Sequence, residues 1–149
     1  MQESWHVDDD KLTFIILSPD TSKDESARMV GDVNLFLQVD LNDDSGSEAK
    51  IGECEIMIAE PAFRGKGLGT KVMSAMIKYA SNKGITKQFI ARVGYDNTAS
   101  QRLFGKLGFE EKSRAECFRE ITFTLVDRAK LVDSSAKEMD YDQVVRNLK

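Results

Sequence analysis

The chain has 149 residues, 41% hydrophobic and 31% charged, with a formal net charge of −4. That length suits one domain with or without a tail, and it excludes a two-domain enzyme while leaving enough residues for a real core. No apolar run approaches the ~18 residues that span a bilayer, a pI near 5.1 excludes the basic face of a general nucleic-acid binder, and the opening Met-Gln-Glu-Ser-Trp-His lacks the regions of a secretory leader, so a cytoplasmic domain with no membrane and no nucleic-acid partner is expected.

Residues 1–10 are polar and acidic and are expected to be a disordered or truncated start. Leu12–Leu17 is a short β-branched and aromatic run stopped by Ser18-Pro19-Asp20, which predicts a strand. Thr21–Arg28 reads as a loop. From Val33 to Leu41 apolar residues alternate, predicting a half-buried strand over Met29–Leu41. The cluster Asn42–Ser47 predicts a turn, and Ala49–Ala59 the returning strand of a hairpin. Leu68, Val72, Ala75, Met76, Tyr79 and Ala80 then fall at helical spacing, with Lys71, Ser74, Lys78 and Asn82 on the other face, and Gly84 ends the helix. Lys87–Val93 is a strand, and Asn97 caps a second helix that runs to about Leu107 before Gly108. Phe118, Ile121, Phe123 and Leu125 alternate through a last strand, Glu116–Val126, and residues 127–149 form a polar tail or exposed helix. The order β-β-β-α-β-α-β implies an α+β, or mixed α/β, fold with helices packed on a mixed sheet.

The segment Pro61-Ala62-Phe63-Arg64-Gly65-Lys66-Gly67-Leu68-Gly69-Thr70 joins a strand to the first long helix. Alternate glycines permit tight turning and close approach by a ligand. The first amides of the helix lack internal partners and sit at its positive end, which suits a phosphate or pyrophosphate. The Walker pattern is absent, because no lysine separates Gly69 from Thr70, and the dinucleotide pattern fails because Thr70 stands where a third glycine belongs. Two cysteines and one histidine cannot furnish a common zinc site, so no metal is expected.

Arg64-x-x-Gly67-x-Gly69 resembles the acyl-CoA pyrophosphate loop, Gln/Arg-x-x-Gly-x-Gly/Ala, of the GNAT acetyltransferase superfamily. Asn97-Thr98-Ala99-Ser100-Gln101-Arg102-Leu103-Phe104-Gly105-Lys106-Leu107-Gly108-Phe109 is similar to its second signature, in the right order downstream. More narrowly, Met29–Leu37 together with Glu55–Pro61 resembles the N-acetyltransferase nine family, which is associated with acetylating tubulin N-termini. The resemblance covers residues 11–126, taken as one GNAT domain.

The resemblance implies acetyl-CoA as cosubstrate and a protein N-terminus, that of tubulin, as acceptor. Amides of Gly65, Lys66, Gly67, Leu68, Gly69 and Thr70 would hold the pyrophosphate, with Arg64 and Lys66 reaching the phosphates. The strand end at Ile58 and Ala59 would pair with the pantetheine arm, and Asn97 would bond near that arm or the acetyl carbonyl. The amine attacks the thioester directly, which requires a route for its proton. Glu53 and Glu55 lie two apart on the strand, so they share a face, and either is a candidate base; Glu60 beside Pro61 reads as a turn residue. Phe104 occupies the place where the family commonly has a tyrosine acid, so it is expected in the core or against the cofactor, and Tyr95 and Ser100 are the nearby donors. Cys54 and Cys117 are expected as buried structural thiols, and His6 as exposed and inert.

Family domains begin with a strand and helices ahead of the hairpin, whereas only about ten polar residues precede the first strand here, so those elements are expected to be absent. Their absence predicts an open sheet edge and an uncovered face. It also motivates an alternative reading, a CoA-binding or protein-interaction module without catalysis.

Overall fold

A computed structural model of the chain describes residues 10–18, 22, 24–41, 44 and 50–128. The expected start (save Asp10), the tail beyond Arg128, His6 and most of the Asn42–Ser47 turn lie outside the described residues. The elements are β1 (Lys11–Leu17), a single helical turn α1 (Glu25–Arg28), β2 (Met29–Val39), β3 (Lys50–Ile58), α2 (Leu68–Asn82), β4 (Gln88–Gly94), α3 (Thr98–Lys106), β5 (Phe109–Ala115) and β6 (Glu120–Leu125). The strands form one sheet in the order β1-β2-β3-β4-β6-β5, with every neighbouring pair antiparallel except β3 and β4. The mixed, mostly antiparallel sheet with packed helices is the expected architecture, and β1 is an edge strand.

Alternation along each strand sends one set of side chains to a single core: Val33 and Leu35 from β2, Cys54 from β3, Phe89, Ala91 and Val93 from β4, and Ile121 and Phe123 from β6. Helices α2 and α3 close that face with Met73, Met76, Ile77, Ala80 and Phe104, and Leu107 follows α3. Phe14 of β1 meets Tyr79 of α2 edge to face, with ring centroids 5.4 Å apart. Gly84 stops α2 with φ of +68°, where a side chain is strained.

Several expectations are corrected. Phe109–Ala115 is a strand that the sequence pattern does not announce: only Phe109 is buried and the polar run Glu110–Arg114 faces solvent at a sheet edge, so no alternation marks it. The last strand therefore starts at Glu120, and Glu116–Arg119 is the turn between β5 and β6. That turn leaves Phe118 75% exposed and Cys117 exposed, so Cys117 is no buried thiol. Cys54 is buried, and burial first, then the neighbouring Glu53, pushes its thiol far up. The buried stripe of α2 is centred on Met73, Met76, Ile77 and Ala80, and it takes in Ser74, which is not on the solvent face. The loop Thr21–Arg28 contains the turn α1.

Candidate functional site

The parallel strands β3 and β4 pair only through Ile51 with Gln88, Gly52 with Phe89 and Glu53 with Ile90. Beyond that point β3 runs on to Ile58 against β2 alone, and β4 runs on to Gly94 against β6 alone. The two strands thus part after Glu53 and Ile90, leaving a slot between their backbones beyond that pairing. Backbone amides and carbonyls along the slot have no ladder partner across it, so an extended chain placed there finds donors and acceptors ready. At the far end Ala59 and Glu60 both donate their amides to the Val30 carbonyl, which anchors the strand end to β2.

The glycine loop leaves from that strand end. Pro61–Phe63 forms a 3-10 turn, and then Gly65 and Gly67 take φ of +72° and +77°, conformations that favour glycine. A Cβ at either would meet nothing within 4 Å, so their backbone faces open space. Gly67 is also the N-cap of α2, with no side-chain cap and no acidic residue in the first turn. The positive end of α2 is therefore left uncompensated beside exposed Lys66. Leu68, Gly69 and Thr70, all half-buried, form that first turn. Gly69 serves a different purpose from the other two: a Cβ there would lie 2.7 Å from Leu103 Cδ1, so the missing side chain lets α2 approach α3.

Arg64 also departs from expectation. Its Nε donates to the Ile58 carbonyl at 2.8 Å and its Nη2 to the Ala59 carbonyl at 3.4 Å. The guanidinium thus braces the loop against the end of β3 rather than standing free for a phosphate. Ile58, Ala59 and Arg64 are brought together, as is the first turn of α2, at one end of the slot.

Glu53 and Glu55 share the sheet face opposite α2 and α3, since Cys54 between them is in the core. Their surroundings differ. Glu53 Oε2 accepts from Arg92 Nη1 at 2.6 Å and from Gln38 Nε2 at 3.3 Å, so it is held from both flanking strands with its side chain 13% exposed. Glu55 is exposed. Opposite it on β2 stands Asn34, which accepts from Thr13 Oγ1 at 2.7 Å and donates to Asp32 Oδ1 at 2.6 Å. Partial desolvation first, then the Glu53 charge, pushes the Glu55 carboxyl above the ordinary carboxylate range; Asp32 adds to this and Lys11 opposes it.

The second signature segment builds α3. Asn97 Oδ1 accepts from the Ser100 amide at 3.2 Å, so that oxygen is used as the helix cap. Asn97 is exposed and Ser100 half-buried. Phe104 is 3% exposed and packs edge to face on Phe109 with centroids 5.0 Å apart, which makes it a core residue rather than a surface for cofactor. Tyr95 lies by the β5–β6 turn between the guanidinium groups of Arg114 and Arg119, each 5.6 Å from its ring. Burial and the Glu116 carboxylate push its hydroxyl up, so it is a poorer acid than a free tyrosine.

Sequence reasoning missed Arg92. Its signal was a lone arginine at an even position of Lys87–Val93, the side of β4 opposite the apolar Phe89, Ala91 and Val93. Among the described residues no three His, Cys, Asp or Glu side chains converge as a metal site would need.

The acetyltransferase (GNAT) domain family matches residues 1–110. The chain belongs to that family. Among curated GNAT relatives, the alpha/beta-tubulin-N-acetyltransferase 9 of Drosophila melanogaster is 46% identical over 127 residues, covering 82% of this chain and 62% of that protein. The human protein of the same name is 46% identical over 131 residues, covering 84% of this chain and 60% of its own length. The chain thus spans about three fifths of these relatives. Arabidopsis thaliana NAA60, solved in complex with acetyl-CoA, superposes with a TM-score of 0.65 at 15% identity over 77% of this chain and 75% of that one. That likeness shows the GNAT fold.

Proposed function

We propose that this chain carries an acetyl-CoA-dependent N-acetyltransferase site that acts on a protein amine, with the N-terminus of tubulin as acceptor. The carrying observation is the slot between β3 and β4, which opens beside the glycine loop at one end and beneath Glu55 on the opposite face. The residues suit the cosubstrate: Gly65 and Gly67 leave bare backbone in open space, and the uncompensated N-terminus of α2 with Lys66 favours a pyrophosphate. The backbone along the slot, toward Ile58, supplies partners for the amides of a pantetheine arm. Arg64 keeps the loop seated on the strand end. Acetyl-CoA supplies an activated acetyl group as a thioester.

Glu55 does the proton work. A peptide amine arrives as an ammonium, and the exposed carboxylate attracts it and takes one proton, directly or through water. The free amine then attacks the acetyl carbonyl, the carbon–sulfur bond breaks, and the surplus proton on the nitrogen passes, directly or through water, to the departing thiolate. A thiolate is stable enough to depart with little help, so Phe104 in place of a tyrosine does not block this route. Glu53, already held by Arg92 and Gln38, is not free to serve. The tubulin acceptor is supported by the names of the Drosophila and human relatives.

The test is acetyl transfer to peptides bearing the tubulin N-termini, with wild type compared with Glu55→Gln. The proposal expects turnover from wild type and a loss of about 10²-fold or more in the variant, with acetyl-CoA binding retained. Binding without turnover by wild type would favour a CoA-binding module instead.

A further inference from the structure

We infer that Arg92 is a positioning residue: paired with Glu53 where β3 and β4 part, it takes one carboxylate out of the site and leaves Glu55 as the single proton acceptor. The inference rests on the acetyl-transfer reading above. Its basis is the position of the pair. Ile90 is the last β4 residue paired with β3, and Arg92 is the next residue on the same face. Its Nη1 reaches back across the opening to Glu53, which is the last paired residue of β3. The pair therefore closes the apex of the slot on the acceptor side, and Gln38 from β2 completes the grip on Glu53.

Charge gives the arrangement a second consequence. The groups that act on Glu55 are Glu53 on its own strand, Asp32 on β2 and Lys11 on β1. Glu53 and Asp32 both oppose charge on Glu55, and Lys11 offsets part of that. Arg92 neutralises the nearest of them. The Glu55 carboxyl stays above the ordinary carboxylate range, but by less than a bare Glu53 charge would impose. Same-face neighbours on a strand stand roughly 7 Å apart, so uncovering the Glu53 charge should push the Glu55 midpoint further up.

The experiment titrates Glu55 in the full chain by carboxyl-carbon NMR and, in parallel, records the pH profile of kcat/KM with an N-terminal peptide. Wild type is compared with Arg92→Met, Arg92→Lys, Glu53→Gln and Glu55→Gln, the last of which also assigns the resonance. The inference expects Arg92→Met to raise the Glu55 midpoint and the acid limb of the profile together. Glu53→Gln should lower both, and Arg92→Lys should restore both toward wild type. A simple structural clasp would change stability and leave the midpoint in place. A Glu55 midpoint that stays unmoved in Arg92→Met and Glu53→Gln overturns the inference while leaving Glu55 as base. Should Arg92→Met fail to fold, Glu53→Gln carries the same decision through its lowered midpoint. Full turnover by Glu55→Gln removes Glu55 as base and overturns the inference with acetyl transfer intact, whereas acetyl-CoA binding without turnover by wild type overturns the acetyl-transfer reading itself, a separate outcome.

Discussion

Arg92 Nη1 stands 2.6 Å from Glu53 Oε2, joining β3 to β4 at the place where their backbone pairing ends. This contact separates two carboxylates that look equivalent along the chain. Glu53→Gln is therefore expected to lower turnover by less than about tenfold, against about 10²-fold or more for Glu55→Gln. Steady-state rates of the two variants check the ranking, and a larger loss for Glu53→Gln would reverse the assignment.

Stability carries an independent sign for Glu55. Its folded-state carboxyl titrates above the unfolded value, so as pH rises through that interval the unfolded chain gives up its proton first. The folded state consequently loses stability as pH rises from below about 4.5 through the raised value. Replacing Glu55 by Gln removes that loss. Urea unfolding at pH 4 and pH 7 should show the variant gaining on wild type at the higher pH, and a gain confined to pH 4 would contradict the direction of the shift.

Asn97 tests how much of the second signature is structural. Its side chain caps α3 through the Ser100 amide, so Asn97→Ala should cost about 1 kcal/mol and Asn97→Asp much less. Denaturant midpoints of the pair measure this. If both variants keep wild-type stability, the cap does not hold α3.

Gly31 has a different reason for being glycine. It lies opposite Ile58 in the β2–β3 ladder, and a Cβ there would stand 2.2 Å from the Met57 carbonyl oxygen. That atom is backbone and cannot swing aside. Gly31→Ala should destabilise by about 2–3 kcal/mol, a fall in Tm of roughly 6–10 °C for a chain of this size, readable by calorimetry. An unchanged Tm would mean that the strand end at the glycine loop gives way easily.

The architecture was legible wherever burial is one-sided. The alternation of Val33, Leu35 and Leu37 and the helical spacing around Met76 and Ala80 both reflect a single core face, and the glycine segment reflects a backbone need. β5 was not legible, because an edge strand with a polar outer run has no face to alternate. Phe118 extended the apparent strand pattern of Ile121, Phe123 and Leu125 into what is a turn, where Arg119 takes φ of +50°. The two glutamates were placed on the correct strand, but what distinguishes them is a partner on another strand, Arg92, which no local pattern connects to Glu53. Arg64 likewise matches its motif by position, while its hydrogen bonds to Ile58 and Ala59 depend on how the loop folds back.

The cysteines offer a simple check of that correction. Cys54 is buried and Cys117 exposed. A thiol reagent on the native chain should label Cys117 quickly and Cys54 only on unfolding, as peptide mapping would show. Equal labelling of both under native conditions would mean that the sheet core opens readily.

The most direct test of the account is calorimetric titration of the folded chain with acetyl-CoA, set beside a Gly67→Asp variant that places a carboxylate at the N-terminus of α2. Wild type should bind, and at ~100 times the dissociation constant the ligand should add about 2.7 kcal/mol of stability, several degrees in Tm, while the variant stays folded and binds far more weakly. Equal binding by the variant, or no binding by folded wild type, would contradict a cosubstrate site at the glycine loop.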